Sequence, residues 1–469
     1  MPMHIHKFTL VLIVSIFILV CTNGAKSQSI EKPNIVFVLI DDLGWMDLSC
    51  QGSNIYETPN IDSLAKQSMV FSNAYAAHPR CVPSRYGIMT GNYPAKGGVP
   101  AKKIHLNAND ETFAKFLKPA GYTSCYIGKW HLGDGENNPK GKGFDVSIAA
   151  GNAGSPRQYI APYNNHDNKP WKINKTPIPD VDDSIEGEYL NDRLSSNAIE
   201  FIDKNKDKPF FLMMAHYAVH EPLQAPQELI DKYKKKIASA SFTQESDYIK
   251  EGTGRTKMKQ DNAIYAAMLE NLDDNIGRLI GFLNENNLSE NTVIVFTSDH
   301  GGLSNDGLNE RFLATSNLPL RAGKGWLYEG GIRVPLFVKW PGVTKAVKND
   351  HIITGIDFYP TFAEMVSGKK VKSNGISIVE LLKGADIKQR KPIFWYSPKG
   401  RPKNTGDSNS IAVRHGDFKL IEWYETGRAE LYNLKDDIGE QNDLTYEMPD
   451  KEKEMLEYIR NWKIEMGIK

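Results

Sequence analysis

Residues 34–40 read Asn-Ile-Val-Phe-Val-Leu-Ile. A strand with one face in water alternates apolar and polar side chains. This run does not alternate, so both of its faces have to be covered. Similar runs recur at Tyr122–Ile127, Phe210–Met214, Thr292–Phe296 and Pro335–Trp340. Helical periodicity falls between them, clearest over Gly187–Asn205 and Ala263–Leu283, and shorter at Pro59–Ser68 and Glu111–Leu117. Buried strands alternating with helices predict an α/β fold, a large mixed, mostly parallel sheet sandwiched by helices. A polar break lies at Ser367–Asn374, and the character changes after about Lys391. Short strands at Ile393–Tyr396, Ser410–Arg414 and Phe418–Ile421, then a terminal helix over Glu447–Met466, predict a smaller C-terminal α+β subdomain with an antiparallel sheet, spanning 386–469. The Lys-rich stretch Lys232–Lys259 reads as a solvated loop; its alternative is a lid over a polyanionic substrate.

Four of the five runs end in reactive residues. Asp41-Asp42 follows the first, and Gly128-Lys129-Trp130-His131 closes the second. The third leads towards His220, and the fourth ends in Ser298-Asp299-His300-Gly301. Ligands of open α/β sheets bind at the carboxyl ends of the strands, so these residues are expected along one rim.

The chain has 57 basic and 57 acidic residues, which argues against a nucleic-acid partner. Lys7 precedes the apolar run Phe8–Val20, followed by small and polar residues, the pattern of a secretory signal peptide over 1–27. Ala25-Lys26-Ser27 supplies the cleavage site and Gln28 the mature start. Cys21 is the alternative, as a lipid-anchored cysteine, though bulky Val20 precedes it. The run is too short for a membrane span. The expected location is therefore periplasmic or secreted. Of the cysteines left after cleavage, Cys50 and Cys125 are free to pair in an oxidising compartment, which leaves Cys81 needing its own explanation.

Adjacent acids at a strand end repel unless a cation neutralises them. Asp41, Asp42 and Asp299 together predict an oxygen-rich site for a hard divalent ion, Ca²⁺ or Mg²⁺. His300 either ligates that ion or faces the substrate. Lys129 and Lys324 sit among Trp and Gly rather than in a polar surface segment, and with Arg85 they supply fixed positive charge for an anionic substrate. His220 reads as a general acid, since imidazole titrates near neutral pH; His216 reads as structural.

The remaining motif is His78-Pro79-Arg80-Cys81-Val82-Pro83-Ser84-Arg85-Tyr86-Gly87-Ile88-Met89-Thr90-Gly91. Its Cys81-Val82-Pro83-Ser84-Arg85 resembles the maturation signature of type I, formylglycine-dependent sulfatases of the alkaline phosphatase superfamily. Met89 replaces the usual Leu, a near-isosteric change. The resemblance runs from about Pro33 to Pro341 and implies a catalytic domain over 28–385. It implies that a formylglycine-generating maturation enzyme oxidises Cys81 to an aldehyde. By the same resemblance Asp41, Asp42, Asp299 and His300 hold the metal, Ca²⁺ rather than Mg²⁺, with the modified Cys81 also touching it. Arg85, Lys129 and His131 support the formylglycine, while His220 and Lys324 face the sulfate and the leaving oxygen. The implied chemistry is covalent: a hydroxyl of the hydrated aldehyde attacks sulfur, His220 protonates the departing alcohol, and His131 removes the second hydroxyl proton so that sulfate leaves.

The resemblance, with export and a chain size similar to that of the family's glycan sulfatases, implies a sulfated carbohydrate as substrate. Two other readings stay open: a phosphonate or phosphodiester hydrolase of the same superfamily, and a catalytically dead glycan-binding relative. Arg157, His166 and Arg321 are further candidates for substrate contact, each also readable as ordinary surface.

Overall fold

In the computed structural model, the residues described are 32–98, 105–164, 176–386 and 390–468. The signal-peptide reading, Cys21 and His166 lie outside them. Residues Pro33–Lys469 pack as one unit.

The run Asn34–Ile40 is a central strand of an eight-stranded sheet. Thr292–Ser298 and Phe210–Ala215 flank it, both parallel to it. Thr123–Gly128 and Val146–Ile148 continue the parallel order on one side. On the other side Leu336–Lys339 runs antiparallel, followed by Met69–Phe71 and Lys348–Asn349. The sheet is thus mixed but mostly parallel.

Strand pleating explains the unbroken apolar sequence. Val36, Val38 and Ile40 point into one buried cluster, with Leu194 of the helix Leu190–Asn205 and Tyr265 and Leu272 of the helix Ala263–Glu285. Ile35, Phe37 and Leu39 point into the opposite one, against Ile88 and Met89 of the helix Cys81–Thr90 and Phe358 and Phe362 of the helix Phe358–Ser367. Phe362 lies 5.0 Å, centroid to centroid, from both Phe37 and Phe113, and 5.3 Å from Phe211. Phe362→Ala empties the middle of this layer and is expected to destabilise the fold by about 3–5 kcal/mol, measured by urea unfolding; a change below about 1 kcal/mol contradicts the packing described.

A four-stranded antiparallel sheet follows: Ile393–Ser397, Ser410–His415, Phe418–Trp423 and Arg428–Asn433. The helix Pro449–Met466 covers one face through Met455, Ile459 and Trp462, which meet Ile411, Val413 and Leu420. The other face packs Trp395, Ala412 and Ile421 on Trp326, Leu327 and Tyr328. The segment that carries Lys324 is therefore seated on the C-terminal sheet.

Two expectations require correction, and one open question is answered. Glu111–Leu117 is not an α-helix; it forms 3₁₀ turns at Phe113–Phe116 and Lys118–Ala120. Pro119 disfavours helical backbone at the residue before it. Lys232–Lys259 is not an unstructured loop. A helix over Gln227–Ala238 buries Tyr233, and Tyr248–Glu251 pairs with Gly254–Lys257 as a hairpin. The lysines of that helix mask a narrow apolar stripe, with Tyr233 buried and Ile230 and Ile237 packed at the core's edge. Cys50 and Cys125 do not pair; both are free, Cys50 exposed and Cys125 buried.

Candidate active site

Parallel register brings distant residues level. Ile40 lies opposite Ser298, Leu39 opposite Ala215, and Ala215 opposite Gly128. The residues after these partners, Asp41, Asp299, His216 and Lys129, therefore emerge along one rim. Close approach holds them there: the Lys129 N–H donates to Ala215 O at 2.7 Å, and the Asp299 N–H to Ile40 O at 3.0 Å. Gly128 has φ +93°, and a Cβ there would lie 2.0 Å from Ala215 O, so a larger residue would push the Lys129 strand end away. Asp42 and His131 occupy left-handed backbone at φ +62° and +60°, an uncommon conformation for such residues that concentrates at functional sites.

Cys81 opens a ten-residue helix whose third position is Pro83, where a missing N–H is harmless. The Cys81 Sγ lies 3.3 Å from His300 Nε2. Around it the charges interlock. The Lys129 ammonium hydrogen-bonds the Asp41 carboxylate. Arg85 Nε donates to Asp299 Oδ2 at 2.8 Å, and its Nη1 donates to Lys129 O. Lys324 Nζ spans both Asp42 oxygens at 2.6 and 2.8 Å. His300 Nε2 is 3.2 Å from Asp42 Oδ1 and 3.6 Å from Asp299 Oδ1, and His220 Nε2 is 3.8 Å from Asp42 Oδ2. His220 Nδ1 donates to Glu221 O at 2.8 Å, which leaves Nε2 facing the pocket.

The electrostatics follow from this crowding. Burial pushes Asp41 up to about 7, against the pull of Lys129. Burial also works against Asp42, but His220, Lys324 and His300 hold its carboxyl well below the usual range. Asp299 is held low in the same way by His300 and Arg85. The Cys81 thiol is buried, yet Lys129, Lys324 and His300 draw it well below the ordinary thiol range. Burial drives His131 down to about 4, with the Cys81 thiol opposing. His220 is raised despite burial, chiefly by Asp42.

Asp41, Cys81, Asp299 and His300 offer four ligand atoms within 4.8 Å of one another, all buried. Asp41 Oδ1 is buried with no hydrogen-bond partner among the described residues. A buried carboxylate oxygen without a hydrogen bond, 3.8 Å from the Arg85 guanidinium and beside two further carboxylates and an imidazole, fits a hard divalent cation.

The Sulfatase family profile matches residues 33–368, and the profile described as N-sulphoglucosamine sulphohydrolase, C-terminal, matches 322–463. The chain belongs to the sulfatase family. A sulfatase of Formosa agariphila is 30% identical, over 96% of this chain and 92% of its own. An N-acetylgalactosamine-6-O-sulfatase of Bacteroides thetaiotaomicron is 27% identical, over 94% of each. The crystal structure of Ps i-CgsB in complex with k-i-k-neocarrahexaose is 30% identical, covers 92% of this chain and 93% of that one, and superposes with a TM-score of 0.73. This sulfatase is accordingly a sulfuric ester hydrolase with an alkaline phosphatase-like fold.

Two of the suggested substrate contacts have partners within the chain. Arg157 is not ordinary surface; it is buried and donates to Asn164 O at 2.7 Å. Arg321 is committed to an ion pair with Glu251 and stacks on Tyr328, 3.9 Å from the ring centroid. Sequence reasoning missed Arg80. Its buried guanidinium donates to Ser397 Oγ at 3.0 Å and pairs with Asp407. These partners are more than three hundred residues away in the C-terminal segment, and nothing local announces them.

Proposed function

We propose that this sulfatase is exported and removes sulfate from sulfated oligo- or polysaccharides, with a formylglycine made from Cys81 and one Ca²⁺ held by Asp41, Asp42, Asp299, His300 and the modified residue 81. The same reading divides the chain into a signal peptide over 1–27, a catalytic domain over 28–385 and a C-terminal subdomain over 386–469. The observation that carries it is the meeting of Cys81 Sγ with three buried carboxylates and fixed cations at one sheet rim. The names of the relatives, which include N-acetylgalactosamine-6-O-sulfatase, support the carbohydrate class.

When present, the metal supplies Lewis-acid polarisation and the aldehyde hydrate supplies the attacking oxygen. The chain's own residues do the rest. Lys129 and Arg85 tie Asp41 and Asp299 into fixed positions, so the donor set needs no reorganisation. Lys324, anchored by Asp42 at the pocket edge, presents positive charge to the sulfate oxygens. His220, raised and with Nε2 towards the pocket, is the acid that delivers a proton to the leaving oxygen. His131, kept neutral by burial, has the character of a base beside position 81.

The deciding experiment uses protein produced in an exporting host, with the mass of the Cys81 peptide read first. Sulfate release is then compared across defined sulfated oligosaccharides, an aryl sulfate, and aryl phosphate mono- and diesters. The expected result is the aldehyde mass with sulfated saccharides hydrolysed. A strong diester preference instead establishes the phosphodiesterase reading, and absence of the aldehyde from protein made in its native host favours the dead, glycan-binding one.

A further inference from the structure

Ser397 and Asp407, which grip the Arg80 guanidinium from two sides, are the two feet of one loop. The loop between them therefore rises from the shoulder of the nucleophile, one residue from Cys81. It is fastened there again where Trp326 Nε1 and Asn305 Nδ2 donate to Thr405 O, at 2.7 and 2.6 Å. Its sequence, 398–406, is Pro-Lys-Gly-Arg-Pro-Lys-Asn-Thr-Gly: three cations, Lys399, Arg401 and Lys403, within five residues and no acid. All three are exposed, and among the described residues none of their side chains makes a hydrogen bond or an ion pair.

A second loop lies against it. The backbone N–H groups of Leu308 and Asn309 donate to Pro402 O and Lys403 O at 3.0 and 2.9 Å. This loop leads to Arg311, which pairs with Glu221, the neighbour of His220, and to Phe312, which is 62% exposed. The two loops thus run from the Cys81 side of the pocket to the His220 side. An exposed lysine alone means little. Here three exposed cations share a short loop anchored beside Cys81, and Arg401 is near enough to feel the charges of Arg80, Cys81 and Arg311. Arg401 is partly desolvated while still reaching solvent, and with Arg80 nearby its guanidinium is held below its ordinary range, so a bound anion would relieve both penalties.

We propose that the 399–403 loop, led by Arg401, is a second anion subsite that holds a sulfate or carboxylate on the sugar next to the one that loses its sulfate, with Phe312 offering a flat apolar face to the saccharide. This rests on the carbohydrate reading above. Arg401 is the centre because a planar guanidinium can take a sulfate or carboxylate in two parallel hydrogen bonds. Lys399 and Lys403 add a field that salt screens.

The test is a specificity ratio. Wild type, R401Q and the double variant K399Q/K403Q are compared on oligosaccharides that share the scissile ester, one with no further anion, one with a second sulfate and one with a uronate carboxylate. Wild type is expected to prefer a dianionic substrate in kcat/KM by about tenfold or more, the effect of one charge-assisted contact. R401Q is expected to erase that preference chiefly through KM, K399Q/K403Q to weaken it, and added salt to shrink it in wild type. Which dianion is preferred tells sulfate from carboxylate. No preference in wild type, or an unchanged ratio in R401Q with an unchanged melting temperature, overturns the subsite. If an aryl sulfate is hydrolysed but no saccharide is, the carbohydrate reading fails by itself. The same ratio is then read on aryl sulfates with and without a ring carboxylate, where an unchanged R401Q ratio overturns the subsite separately.

Discussion

Cys81→Ala is expected to lower sulfate ester hydrolysis by about 10⁴-fold or more in kcat, the scale on which a lost covalent nucleophile is felt. The fold should survive the change. Cys81 sits at the first position of its helix, the removed atom is one small sulfur, and alanine is a good helix former there. Circular dichroism and thermal melting establish that the protein is folded before activity is compared. The logic is geometric. The Sγ position faces His300 at 3.3 Å and is coupled electrostatically to Lys129 and Lys324, so every charged group of the pocket is arranged around this side chain. A folded Cys81→Ala protein with activity within tenfold of wild type would show that another group attacks sulfur.

Asp299→Asn should be nearly as damaging, at about 10³-fold or more in kcat/KM, and should also lower the bound divalent metal measured by elemental analysis. Asp299 Oδ2 accepts from Arg85 Nε, and Oδ1 accepts the Asp42 N–H at 3.3 Å. Neutralising it removes one anionic donor and leaves the buried Arg85 guanidinium without its charged partner, which itself destabilises by about 3–5 kcal/mol. Asp41→Asn carries a similar structural cost, because its Oδ2 pairs with the buried Lys129 ammonium, while its Oδ1 makes no hydrogen bond among the described residues and is the oxygen left for a metal. Unchanged metal content in both folded variants would remove the carboxylates from the metal site.

Much of the architecture was legible before any coordinates. The runs at 34–40, 210–214 and 292–296 carry no polar alternation, and a sheet covered on both faces is the physical consequence. The helices Leu190–Asn205, Ala263–Glu285 and Pro449–Met466 fall within three residues of their expected limits, because amphipathic periodicity, Pro at a first helical position and a positive-φ glycine are local signals. Where reading failed, a stronger effect masked the pattern. The helix Gln227–Ala238 hides its single buried tyrosine among lysines, and the Glu111–Leu117 periodicity loses to Pro119. The edge strand Arg428–Asn433 was not foreseen; its charged residues give no alternation to detect.

What the amino-acid sequence determined alone is the class of fold, the motif at Cys81 and the residue types waiting at each strand end, since all of these depend on neighbours in the chain. Only the tertiary structure decided the pairings: Lys129 with Asp41, Lys324 with Asp42, Arg85 with Asp299, and Arg80 with a loop more than three hundred residues away. Those contacts are set by strand order and parallel register, which place Ile40 opposite Ser298 and Gly128 opposite Ala215, and by the seating of the C-terminal sheet on the Lys324 segment. No local propensity encodes a distance between residues so far apart; it emerges when the two apolar faces of the sheet are buried together.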